Sequence, residues 1–334
     1  MHRGSNPRWG VGPVAGQAVP SPQQPDRPLP HSSGGSDVQC RIALARPFGR
    51  QPDKPVRVAR DEPLQNAQNA DPMTRKTSDV RSLRIAAAFS LLFLGTMVVA
   101  LYPDWFNRPV AKAMNSLTID HQFANVVAFG IAYPTLQGVT VVALVWCCWF
   151  SGLTPDLRAR LMSGAVAAIL SGIIARLVQR GLPTSPKPIF DPFLHVDVPA
   201  VLGNIDVLKA TSFPSSHTFP SERGTMFAGL AIAVFLVRPT IGLIALACTT
   251  TAEVSRVYLG LHYPTDIIGS FSLAAATVWL AQMRWGSKPG FGLVRWEAAS
   301  PATFYMCAYL ASYATSTAFQ DLRDLASQIF ERHF

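Results

Sequence analysis

From Arg84 onward the chain alternates between long apolar runs and short polar connections. The apolar runs cover 84–102, 135–152, 160–179, 221–238, 241–259 and 264–283, each close to the length a helix needs to cross a bilayer. They predict an all-α, polytopic membrane helix bundle with about six transmembrane helices. The intervening stretch 103–134 is amphipathic and more polar, which predicts short interfacial helices. Residues 301–320 are moderately apolar, with Tyr305, Tyr309 and Tyr313 at helical spacing. They fit either a seventh span or a surface helix, and the following Asp321-Leu-Arg-Asp324 favours the surface helix. Residues 1–72 have no apolar periodicity and are rich in Pro, Gly, Ser, Gln and Arg, a composition expected of a disordered N-terminal extension. No apolar core follows the early charges, so this stretch does not read as a secretory signal. The expected organisation is an extension over 1–72, a transmembrane domain over 73–290 and a C-terminal tail over 291–334, with Met73-Thr-Arg-Lys opening the basic flank of the first span.

Basic residues give the spans a direction. Arg75, Lys76, Arg81 and Arg84 precede the first span, and Arg158 and Arg160 lie between the second and third. Arg238 marks the tight turn between the fourth and fifth, and Arg284, Lys288 and Arg295 follow the sixth. In a six-span topology all four regions fall on one side, which the positive-inside rule makes cytoplasmic. The loops around Lys187, His217 and His262 then share the opposite side. A site built from them opens to the periplasm or exterior of a cell membrane.

Composition narrows the class. With 49% hydrophobic and 15% charged positions, the chain is too apolar for an ordinary soluble domain. The net charge of +9 is uneven: residues 1–84 carry 13 Lys and Arg against 7 Asp and Glu. No basic stripe is interleaved with aromatics, which argues against a nucleic-acid partner. Cys40, Cys147, Cys148, Cys248 and Cys307 have neither metal-ligand nor disulfide-framework spacing. The sequence contains no HExxH, acidic metal cluster or Gly-rich nucleotide loop, so neither a metal nor a cofactor is expected.

The chemistry concentrates in Ser255-Arg256-Val-Tyr-Leu-Gly-Leu-His262-Tyr-Pro-Thr-Asp266, set between apolar runs. Ionisable groups there are costly unless they face a cavity or a membrane surface. Arg supplies a rigid fork of donors to phosphate oxygens. His can attack phosphorus or relay a proton, and Asp can hold the imidazole in one tautomer. A plainer reading, scattered polar residues with Asp266 as a helix cap beside Pro264, accounts less well for Ser255 and the phosphate-directed residues upstream.

This block resembles the third signature of the type 2 phosphatidic acid phosphatase (PAP2) superfamily: Ser-Arg, five residues, His, three residues, Asp. Pro214-Ser215-Ser216-His217 is similar to the second signature, Pro-Ser-x-His. Arg180, six residues, then Lys187-Pro188 is similar to the first, with its two cations exchanged. The resemblance spans roughly Leu161 to Leu280. It implies His262 as nucleophile, Asp266 as its orienting partner, His217 as general acid, and Arg256, Lys187 and Arg180 as phosphate ligands. Backbone N–H groups beside Ser215 and Ser216 add donors.

The second block admits two registers, because Phe-Pro-Ser occurs twice. One puts His217 in the site. The other uses Ser221-Glu222-Arg223, with Ser221 followed by Glu222 making the better N-cap and first turn. His217 is the preferred register, and Arg223 fits a phosphate or a headgroup contact equally. Arg176 reads as an interfacial snorkelling residue, and His195 and Asp197 as loop residues. The expected activity is hydrolysis of a lipid phosphate or diphosphate in the bilayer, such as an isoprenoid carrier diphosphate, phosphatidate or phosphatidylglycerophosphate. Transfer of the phosphoryl or headgroup to another acceptor, or an inactive membrane scaffold or transporter, are the alternatives. Oligomeric state is not legible.

Overall fold

Every predicted span is a helix in the computed structural model, which describes residues 72–183, 185–194, 200–203, 217–322, 325 and 328–329. The proposed extension over 1–72, except Pro72, which opens the first helix, lies outside the described residues, as do Ser215, Ser216, His195 and Asp197. Among the described residues, ten α-helices run in the order α1 Pro72–Leu101, α2 Asn107–Ser116, α3 Gln122–Ala132, α4 Pro134–Phe150, α5 Pro155–Gly181, α6 Glu222–Val237, α7 Pro239–Tyr258, α8 Pro264–Ala281, α9 Lys288–Ala299 and α10 Pro301–Ser316. Short 3-10 turns cover Pro188–Phe190 and Ala200–Leu202. No strand occurs among the described residues.

Proline punctuates this all-α chain. It opens α4, α5, α7, α8, α9 and α10 within their first two positions, where its missing N–H costs nothing and its fixed φ suits the helix. Thr154 caps α5 by accepting from the Leu157 N–H.

Thr77–Leu101 and Pro155–Gly181 are long and apolar enough to cross a membrane, and α3 and α4, bent by 50° at their junction, are together apolar enough for a broken span or a re-entrant loop. The chain is a membrane protein. The remaining predicted spans are helices of lower hydropathy or shorter length, for physical reasons visible in the sequence. Helix α6 has 16 residues, about 24 Å at 1.5 Å per residue, and α7 carries Glu253 and Arg256 near its end.

Helix α6 is the hub, packed by α4, α5, α7 and α8, while α1 lies along α8. Small residues let α5 and α6 approach closely. A Cβ on Gly229 would sit 2.7 Å from Ala168 Cβ, and one on Gly164 would sit 2.6 Å from Ala233 Cβ. Such contacts are how membrane helices gain packing energy when lipid is as apolar as the side chains. Helix α10 lies against α4, as expected of a helix with one apolar face. Phe304 is in the core, Trp146 Nε1 donates to Ser312 at 2.9 Å, and Tyr309 and Tyr313 point outward.

The two predicted ends of the bundle are distinct. At one, Arg238 donates to the Ser151 carbonyl at 3.1 Å. Arg158 pairs with Glu297 at 3.7 Å, and the Arg284 N–H donates to Asp79 at 3.1 Å. The basic connections thus gather together. The three signature blocks meet at another place, described next.

Candidate active site

The end of α7 and the start of α8 form the centre of the site, and the sequence between them explains its shape. The Leu261 N–H returns to the Arg256 carbonyl at 2.9 Å and the Gly260 N–H to the Val257 carbonyl at 3.0 Å. This Schellman closure needs a left-handed residue after the C-cap, and Gly260 supplies it with φ +71°. Helix α7 therefore ends sharply, with Arg256 in its last turn and His262 just beyond. Tyr263 then caps α8, Pro264 takes its first position, and Asp266 falls at the third.

At that position Asp266 does two things. Its Oδ2 accepts from the Tyr263 N–H at 2.9 Å, closing the first turn of α8. The same oxygen lies 3.1 Å from His262 Nδ1. The cap role and the His-orienting role are one geometry. Asp266 has a side-chain exposure of 1% against 14% for His262, so the imidazole is the reachable member of the pair. With Nδ1 engaged, Nε2 is the nitrogen left to act on a substrate.

Backbone hydrogen bonds tie the three blocks to one another. Thr218 donates through its N–H to the Ser185 carbonyl at 3.3 Å, Ile189 to Gly260 at 3.1 Å, and Ser221 to Asp266 at 3.4 Å. Ser270 Oγ reinforces the last link, at 2.6 Å from the Asp266 carbonyl and 2.9 Å from that of Ser221. Blocks separated by dozens of residues are thereby held as one loop cluster.

Lys187 reports the charge of this cluster. Partial burial and the positive charges of Arg223 and Arg256 pull its ammonium down from 10.5 to about 8. Lys187 thus feels the positive charge of two other elements, an environment that favours an anion beside it. Arg256 is itself nearly buried. Its Nη1 lies 3.2 Å from Glu253 Oε1, and that oxygen also accepts from Gln137 Nε2 at 3.1 Å. Glu253 was not anticipated, although a carboxylate three residues before an arginine in an apolar helix is the kind of signal that finds such a pair.

The second block divides between the two registers. Ser221 is the N-cap of α6, its Oγ accepting from the Gly224 N–H at 3.1 Å, as the sequence favoured. Arg223 joins the cation cluster and donates to Gln320 at 3.0 Å. His217 sits half-buried in the loop before the cap, beside Thr218 and its link to Ser185. Arg180 is exposed on the last turn of α5. Arg176 differs from the snorkelling expectation: it pairs with Glu222 at 3.4 Å, because α5 and α6 pack tightly enough to bring the two within reach.

The family profile described as the PAP2 superfamily matches residues 159–288. This segment belongs to the PAP2 superfamily. The PAP2 segment contains Lys187, His217, Arg223, Arg256, His262 and Asp266. Decaprenylphosphoryl-5-phosphoribose phosphatases of two Mycobacterium tuberculosis strains are 31% identical over 125 residues, 35% of this chain and 56% of theirs. The chain thus spans little more than half the length of these relatives. A bacitracin transport permease protein of Bacillus licheniformis is 23% identical over 161 residues, 48% of this chain and 71% of its own. A solved structure, the transmembrane PAP2 type phosphatidylglycerolphosphate phosphatase from Bacillus subtilis, has 19% identity and a TM-score of 0.38, covering 59% of this chain and 93% of that one.

Proposed function

We propose that the protein is a membrane phosphatase that hydrolyses a lipid phosphate or diphosphate through a phosphohistidine. The observation that carries this is the His262–Asp266 pair at 3.1 Å, with the charges of Arg223 and Arg256 felt at Lys187 in the same loop cluster. A nucleophile with cations near it suits attack on a phosphate group.

In the first step His262 Nε2 attacks phosphorus, a P–N bond forms, and the P–O bond to the lipid breaks. His217 gives the departing oxygen its proton. In the second step His217 takes a proton from water as the water oxygen attacks phosphorus, the P–N bond breaks, and inorganic phosphate leaves. Arg256, Lys187 and Arg223 stabilise the charge that builds on the equatorial oxygens. Arg180 and the backbone near Ser215 and Ser216 complete the ligand set that the family resemblance implies. The three cations neutralise the phosphate without a metal ion.

The site opens to the periplasm or exterior, since the basic connections gather away from the signature blocks and basic flanks face the cytoplasm. The similarity to decaprenylphosphoryl-5-phosphoribose phosphatases puts polyprenyl-linked phosphates first among substrates, ahead of phosphatidate and phosphatidylglycerophosphate. Purified protein in detergent, with EDTA, is assayed against a panel of these lipids. Phosphate release that vanadate inhibits supports the reading. Absence of release from every lipid, or release restored only by Mg²⁺, contradicts it.

A further inference from the structure

Neither the signature blocks nor the proposed chemistry gives a role to a network on the far side of the His262–Asp266 turn. Asp191, with a side-chain exposure of 0%, receives Arg108 Nε at 2.9 Å and Nη2 at 3.3 Å. It also receives the Tyr263 hydroxyl at 2.7 Å and the Phe193 N–H at 3.0 Å. The Arg108 guanidinium lies over the Phe193 ring at 4.5 Å and bonds Asp104 as well. The neighbouring residue Asn107 accepts from Thr265 Oγ1 at 2.9 Å. Two adjacent residues of α2 thus reach the two residues that flank Pro264, Asn107 directly and Arg108 through Asp191.

The connection to the chemistry is short. Tyr263 is almost fully buried, and its hydroxyl is anchored on Asp191. Its backbone N–H is the donor to Asp266 Oδ2, the oxygen that meets His262 Nδ1. Any rotation of the Tyr263 peptide moves that oxygen. Burial alone would raise the Asp191 carboxyl, but the Arg108 and Tyr263 hydrogen bonds outweigh it and hold the group below the ordinary range. Burial and the bond to Asp191 push the Tyr263 phenol above its ordinary value. The network therefore keeps one protonation state, anion between cation and phenol, across the neutral range.

We propose that Arg108, Asp191 and Tyr263 are positioning residues that fix the His262–Asp266 pair in its attacking geometry through the Tyr263 peptide. This makes α2, which precedes the PAP2 segment, a working part of the site. The kinetic side of the inference rests on the phosphatase reading, so its test needs a readout that does not.

The experiment uses the full chain in detergent, comparing Tyr263→Phe, Arg108→Ala, the double variant and Arg108→Lys. Two quantities are measured: kcat and KM on a lipid phosphate, and the imidazole ¹⁵N signals of His262, assigned with His262→Ala, which report its tautomer. Each single variant is expected to lower kcat about tenfold with KM little changed. The double variant is expected to be no worse than the poorer single, as members of one network behave. Arg108→Lys restores part of kcat, since it keeps the charge but loses the fork. The wild-type His262 signals show one tautomer protonated at Nδ1, and Tyr263→Phe gives a mixture. Wild-type tautomer in Tyr263→Phe and Arg108→Ala overturns the proposal, including the case where only the melting temperature falls. A wild type that hydrolyses no lipid phosphate refutes the phosphatase reading instead, and the ¹⁵N signals still decide the clamp.

Discussion

Glu253 and Arg256 form a largely buried ion pair in the last turns of α7, Oε1 to Nη1 at 3.2 Å. Their partnership does not extend to the second carboxylate oxygen, which has no hydrogen-bond partner among the described residues. A Cβ on Gly224 would lie 3.0 Å from it. The pair sets where the Arg256 fork points, at the cost of desolvating two charges.

Glu253→Gln keeps an acceptor for Arg256 and Gln137 but removes the compensating charge. Breaking a buried pair from one side costs roughly 3–5 kcal/mol. The variant should melt lower and show a higher KM for phosphate substrates, because Arg256 loses its fixed aim. Thermal unfolding in detergent and steady-state kinetics check both effects. Unchanged melting and KM would remove Glu253 from the account.

Lys187 gives the site an alkaline limb. In the free enzyme its charge is lost as pH rises through about 8, so kcat/KM, which reports free-enzyme groups, should fall there. A bound phosphate favours the charged form, so the corresponding limb in kcat should lie at higher pH. Lys187→Arg should remove the limb near 8. For stability the sign is opposite. Between about 8 and the ordinary 10.5 the unfolded chain binds more protons than the folded one, so the phosphate-free protein gains stability with rising pH. Melting curves with and without phosphate over that window measure it.

His217 and Arg223 are separable by leaving group. Loss of a general acid hurts most when the departing oxygen needs a proton. His217→Ala should therefore lower turnover strongly on lipid phosphates and much less on p-nitrophenyl phosphate. Arg223→Ala should mainly raise KM, because a permanently charged guanidinium binds phosphate but shuttles no proton. A silent His217 with an Arg223 variant dead on both substrates would transfer the second block's role to Ser221-Glu222-Arg223.

Packing offers a control away from the chemistry. Gly229→Ala places a methyl 2.7 Å from Ala168 Cβ and 2.9 Å from its Cα, so α5 and α6 must separate. Overpacking of this kind costs typically 1–3 kcal/mol. The melting temperature should fall, while phosphate release per folded molecule changes less than in Glu253→Gln. Equal melting to wild type would show the interface to be looser than described.

The helices were legible because apolar runs broken by proline leave few alternatives. The predicted 135–152 and 264–283 are α4 Pro134–Phe150 and α8 Pro264–Ala281. Boundaries drifted where polar turns continue a helix: α5 begins at Pro155 behind its Thr154 cap, not at 160. The third block was readable because its spacing is local, with Gly260 and Pro264 shaping the turn that brings His262 to Asp266. What escaped were the partners that arrive from afar. Arg108 and Asp191 are 83 positions apart, Tyr263 and Asp191 are 72, and Gln137 and Glu253 are 116. Each reads in isolation as an ordinary polar residue, and only the packing of α2, α4 and α7 makes them neighbours.

The central claim is a covalent bond between phosphorus and His262, and trapping it is the most direct test. Full-length protein is mixed with a ³²P-labelled lipid phosphate, quenched within the first turnover in alkaline detergent, and digested for peptide mapping. An acid-labile, base-stable label is expected on the peptide containing His262. The label should be absent in His262→Ala and should persist longer in His217→Ala, where water is not activated. Rapid release of phosphate with no label on His262, or wild-type release by His262→Ala, would contradict it.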